Sequence, residues 1–151
     1  MRTAWTSRAA CLAALLCAAP AAGEPIVLRS GAYAVAVRVE LPHLETRPYR
    51  TDARVCLSSE AGADNHGFAV LSANNPLVGC PVRNVYADAG QLAFDIACEG
   101  RNAARAKAHY TLRPDGFDGR IVMQMGGKNM TMTEVQAGRR TGACDPAAPS
   151  R

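Results

Sequence analysis

"CPVRNVYADAGQLAFDIAC", residues 80–98, opens and closes on cysteine and alternates between apolar and polar residues for most of its length. A period of two is the pattern of a half-buried β-strand. Asp88, Ala89 and Gly90 can form a three-residue hairpin loop, with Gly90 able to take positive φ. A three-residue loop there makes paired positions sum to 178, so that Tyr86 meets Leu92, Asn84 meets Phe94, Val82 meets Ile96 and Cys80 meets Cys98. Directly opposed Cβ atoms of an antiparallel pair stand about 4.5–5.5 Å apart, close to what a disulfide accepts. The spacing predicts a hairpin stapled by a Cys80–Cys98 disulfide.

The same period recurs on both sides. In "GAYAVAVRVEL", 31–41, Tyr33, Val35, Val37, Val39 and Leu41 share one face. In "YRTDARVCL", 49–57, Tyr49, Thr51, Ala53, Val55 and Leu57 share one, with Cys56 opposite. Downstream, "LRPDGFDG" supplies type I turn residues at Pro114 and Asp115, followed by a glycine able to take positive φ at Gly116. With Arg113 opposite Gly116, Ala108 lies across from Ile121 and Ala106 across from Met123, so small faces large. A turn at Gly127 and Lys128 then sets Met125 opposite Met130 and Met123 opposite Met132, while a turn at Gly126 and Gly127 changes the partners; either register keeps all four on one face. Only residues 58–79 break the pattern; they read as a long loop with room for one or two helical turns.

The first 23 residues form a different kind of segment. Arg2 and Arg8 precede an apolar run over 9–19, and small residues follow, with cuts allowed before Ala22 or before Glu24. This is the layout of a secretory signal peptide, removed in the mature chain. Eleven apolar residues fall short of the roughly 20 that span a bilayer, so no stable membrane insertion is expected. The remainder reads as a single β domain over 24–145 and a disordered tail over 146–151. Of the six cysteines, Cys11 and Cys17 leave with the leader; four remain, and an even count in an exported chain reads as two disulfides. Pairing Cys80 with Cys98 leaves Cys56 with Cys144.

From Glu24 onward 15 basic residues stand against 13 acidic ones, a net charge of +2, and no tryptophan remains. Scattered cations without an aromatic platform argue against nucleic acid as a partner. Among candidate sites, Met123, Met125, Met130 and Met132 read either as the core face of a hairpin or as a thioether site for Cu(I) or Ag(I), since soft ligands select soft metals. Glu134 continues the methionine face while Val135 falls on the other, so either a bulge intervenes or that edge is open to water. His43, His66 and His109 lack ligand-like spacing, and Asp95, Asp115 and Asp118 fall at turns or on polar faces. No nucleophile elbow, phosphate loop or zincin helix is present, so no catalytic residues and no cofactor are assigned. "NMT" at Asn129 matches a glycosylation sequon.

The order of short motifs carries a resemblance. "GAYAVAVRVELP", "RVCLSSE", a Cys-to-Cys hairpin, "DGFDGRIVMQM", "MTMT" and "GRRTGAC" together resemble the small exported proteobacterial family known as domain of unknown function 3617, over about Ser30 to Asp145. Tyr33 stands where that family often has tryptophan. The resemblance implies an exported β-rich fold with no assigned activity.

The expectation is an antiparallel all-β domain of about seven strands, curved into a barrel-like or half-barrel sheet with two disulfides, periplasmic or secreted. The expected role is non-enzymatic: binding of an apolar ligand, an envelope component or a protein partner. Two alternatives are a periplasmic Cu(I)/Ag(I) binder using the methionine patch, and an inhibitor of an envelope enzyme presenting the 58–79 loop.

Overall fold

The computed structural model describes residues 28–44, 46–58, 65–100, 103–126 and 130–145. Seven strands follow in order: β1 (Gly31–Glu40), β2 (Tyr49–Leu57), β3 (Val82–Asp88), β4 (Gln91–Ala97), β5 (Arg105–Arg113), β6 (Gly116–Gln124) and β7 (Thr131–Gly142). All pair antiparallel in one open sheet of order β2-β1-β7-β6-β5-β4-β3. The long return from β6 to β1 is made by β7, which lies between them, so the sheet's two edges are β2 and β3. The expected signal peptide and tail, the sequon at Asn129 and the turn at Gly127 and Lys128 lie outside the described residues.

The predicted registers hold in β5–β6, where Arg113 pairs with Gly116 and Ala108 with Ile121. They hold in β6–β7, where Met123 pairs with Met132 and Met125 N–H donates to the Met130 carbonyl at 2.8 Å. Gly116 does not take positive φ; its hydrogen is needed because an added Cβ would lie 2.8 Å from the Gly138 carbonyl oxygen.

The β3–β4 hairpin is half as predicted. Its turn is the two residues Ala89 and Gly90, both at positive φ, so Asp88 pairs with Gln91, Ala87 with Leu92 and Tyr86 with Ala93. This corrects the Tyr86–Leu92 and Asn84–Phe94 pairs. A bulge between Arg83 and Tyr86, with Asn84 at φ 53°, inserts one residue and restores the predicted register for Val82–Ile96. Cys80 and Cys98 therefore still meet, with Cα atoms 4.8 Å apart, and Cys56 joins Cys144 at 5.6 Å.

One face of the sheet is the core. The odd positions of β1, the even positions of β4 and β5 and the odd positions of β6 are buried. Among the described residues, what covers this face is the irregular strap 65–80, whose Phe68, Val70 and Leu77 are buried in it. Phe68 seats between Tyr110, at a ring-centroid distance of 4.3 Å, and Phe117, at 4.7 Å, and Tyr33 and Phe94 extend the aromatic chain on either side. Two glycines make room for these rings: an added Cβ on Gly119 would lie 2.2 Å from the Tyr110 ring, and one on Gly138 2.1 Å from the Phe117 ring. Small residues under large rings let a single sheet and a short strap close-pack.

Candidate functional site

The four methionines form one patch, as the register requires, but its two ends differ. Met123 is 1% exposed, and its sulfur accepts a hydrogen bond from Asn75 Nδ2 at 3.2 Å. Met125 and Met132 are partly buried against the core, and Met130 is 57% exposed. The patch thus runs from the buried Met123 through the half-buried Met125 and Met132 to the exposed Met130.

At Glu134, where the sequence allows a bulge or an edge open to water, there is neither: the residue pairs with Ile121 in unbroken register and is closed to water. It is fully buried on the core face of β7. Its Oε1 accepts from Leu71 N–H at 2.8 Å and from Gln136 Nε2 at 2.6 Å, and its Oε2 accepts from Ser72 N–H at 3.0 Å. Gln136 also donates to the Ala69 carbonyl and accepts from the Tyr110 hydroxyl at 3.1 Å. The neutral Tyr110 phenol is held well above its ordinary pKa of 10.0, first by burial and then by the nearby Glu134. The polar groups of β7 thus bind the backbone of the strap to the sheet. No local signal in "MTMTEVQ" points to residues 69–72, more than sixty positions away. The strap itself contains turns and no helix, and its buried Phe68, Val70 and Leu77 make this part of the 58–79 loop core. Asn74 and Val78 of the same strap stay exposed.

The other face of the sheet is open, and depressions lie on it. One, about 620 Å³, sits where β4, β5, β6 and β7 end together; Ala97 and Val122 line its predominantly apolar floor, with Arg105 and Lys107 beside them and Gln124 and Thr131 toward the methionine hairpin. Arg105 Nε donates to Gln124 Oε1 at 2.7 Å, and Lys107 pairs with Asp95 at 3.3 Å. Asp95 also accepts from Asn84 Nδ2 at 2.8 Å, and these contacts hold its carboxyl below the usual carboxylate range, Asn84 most of all. A second depression, about 580 Å³, lies between Arg113 and Arg139 above Gly116 and Ala137. A third, about 550 Å³, has Ala36 and Ala137 between Arg38, Arg50 and Asp52.

Of the remaining candidates, Asp115 pairs with Arg29 and Asp118 with Arg113 at 2.7 Å, both solvent-exposed. His66 Nδ1 lies 2.9 Å from the Ser58 carbonyl, and His109 stands opposite Arg120. His43 takes positive φ in the β1–β2 connection. Among the described residues no three of His, Cys, Asp and Glu come together as a metal site. None of their helices is long and apolar enough to cross a membrane. Two disulfides are the mark of a chain that folds outside the reducing cytosol.

A family model described as "Protein of unknown function (DUF3617)" matches residues 28–144, from just before β1 to the final cysteine. No curated protein and no solved structure matches the chain.

Proposed function

We propose that this chain, which belongs to the DUF3617 family over residues 28–144, is an exported, non-enzymatic binding protein that takes an apolar or amphiphilic ligand on the open face of its sheet. The observation that carries the reading is the 620 Å³ depression, with Ala97 and Val122 on its floor and two cations beside them. A mostly apolar cleft with a few placed polar groups is the usual chemistry of a small-molecule site. On the inner face the strap packs its own side chains, Phe68, Val70 and Leu77, into the core. Arg105 and Lys107 would meet the acidic end of a fatty-acid-like ligand, and the floor would meet its chain.

The test is a fluorescence titration of the mature protein with a naphthalene-sulfonate probe and with a long-chain fatty acid as competitor. Val122 is 47% exposed, so Val122→Asp should leave the fold intact and weaken binding at least tenfold. Absence of binding, or binding indifferent to Val122→Asp, would refute the proposal.

The methionine hairpin supports a second reading, Cu(I) or Ag(I) binding, because Met130 is 57% exposed and Met125 and Met132 are only partly buried. Titrating Ag(I) into protein labelled at the methionine methyls should then shift these three and leave Met123 still.

A further inference from the structure

The open face carries an ordered arrangement of charge that the groove does not use. Following the register across five strands, Arg54 of β2 pairs with Ala34 of β1, Ala34 with Arg139 of β7, Arg139 with Gly116 of β6, and Gly116 with Arg113 of β5. Arginine thus alternates with a residue of almost no side chain, over about 19 Å at the usual interstrand spacing. Four residues further along β1 a parallel row reads Arg50, Arg38, Val135, Arg120, His109. Between them runs a row of Asp52, Ala36, Ala137, Asp118 and Thr111, low in the middle. The second and third depressions lie along these rows.

The arrangement is costly within the chain. Arg50 and Arg38 are directly opposed like charges, which destabilise a sheet. Arg38 Nε is buried with no hydrogen-bond partner. Glu40 serves both Arg38, at 2.8 Å, and Arg120, at 3.5 Å, while Arg50, Arg54 and Arg139 have no acidic side chain within ion-pair distance among the described residues. Over the whole open face nine Arg and Lys side chains stand against five carboxylates, a surplus of four on a mature chain whose surplus is two. Among the other described residues three cations, Arg29, Arg47 and Arg140, stand against four carboxylates, Glu99, Asp115, Glu134 and Asp145, so the described positive charge is concentrated on this face.

We infer that the two arginine rows form a docking surface for an anionic phospholipid bilayer. Charge complementarity selects an anion, and the layout selects a surface: cations spread in rows about 13 Å apart meet many phosphates at once, where a site for one phosphate would converge on a point. Val135, the alanines between the rows, and Tyr86 at the β3 margin, 60% exposed, allow close approach to headgroups. A nucleic acid would want stacked aromatics, and Tyr86 is the open face's one aromatic side chain among the described residues. This goes beyond the proposed groove and stands without it.

The experiment is co-sedimentation of the oxidised mature protein with vesicles of phosphatidylcholine containing 30 mol% phosphatidylglycerol, against phosphatidylcholine alone, at low and at 500 mM salt. Binding should require the anionic lipid and disappear at high salt. The double variant Arg54→Glu/Arg139→Glu should weaken it by roughly 30-fold or more, at about fivefold for each cation removed. Arg47→Glu/Arg140→Glu, off the rows and equal in charge, should retain most of the binding, with circular dichroism reporting the fold of each variant. No binding by the wild type, equal loss in both doubles, or equal binding to neutral vesicles would overturn the inference. Selective retention of a soluble acidic protein with no vesicle binding would do the same. The fatty-acid titration is read separately, so failure of the groove and failure of the docking surface are distinguishable.

Discussion

Replacing Glu134 by glutamine tests how the strap is held. The carboxylate accepts three hydrogen bonds in a site closed to water, two of them from the strap's backbone. Glutamine keeps one acceptor oxygen. Placed as Oε1, it can still serve Leu71 and Gln136, but its amide then faces Ser72 N–H, donor against donor. The lost charged hydrogen bond is worth about 1.5–3 kcal/mol, and the two survivors weaken when their acceptor becomes neutral. Against this, the neutral side chain relieves the desolvation cost of a buried anion, a cost of several kcal/mol that the three donors already largely offset. The donors should win, leaving Glu134→Gln less stable by about 2–3 kcal/mol. Urea unfolding followed by far-ultraviolet circular dichroism measures the loss, and amide exchange at Leu71 and Ser72 should accelerate well before that of the β5–β6 core. An unchanged or higher midpoint, with both amides still protected, would refute the account of Glu134 as the strap's attachment.

Gly138→Ala would drive a methyl into the Phe117 ring, which no rotation of a flexible side chain relieves; overpacking of this kind should cost about 2–3 kcal/mol in urea unfolding. Burial raises the Tyr110 phenol, so its contribution to stability is complete below the unfolded pKa of about 10 and is lost as pH rises beyond it. Alkaline unfolding should accordingly begin above pH 10, with tyrosinate absorbance rising in step, and Tyr110→Phe should flatten that descent. Cys56→Ser/Cys144→Ser opens a link across 88 positions and should cost about 4–5 kcal/mol, against about 3 for Cys80→Ser/Cys98→Ser across 18; thermal melts of the two variants should differ in that order.

The sheet could be read from the chain because its determinants are local. Alternation assigns each side chain to a face, turn residues set the register, and register brings Met123 to Met132, Ala108 to Ile121 and Cys80 to Cys98. Where a second local choice intervened, the reading slipped. Ala89 and Gly90 closed a tighter turn than a three-residue loop, and the bulge at Asn84 absorbed the difference, so the disulfide survived an error of one residue beside it.

What tertiary structure alone decided is what touches across the sheet. Strand order puts β7 between β1 and β6, and only then do Arg54, Arg139 and Arg113, scattered along the chain, fall into one row. Glu134 spoils an apolar face until the strap supplies Leu71 and Ser72 N–H as its partners. Gly119 and Gly138 look like weak points in their strands until Tyr110 and Phe117 lie over them. A period of two is written in neighbouring residues, whereas these contacts join positions brought together only when the sheet is assembled and its apolar face has been covered.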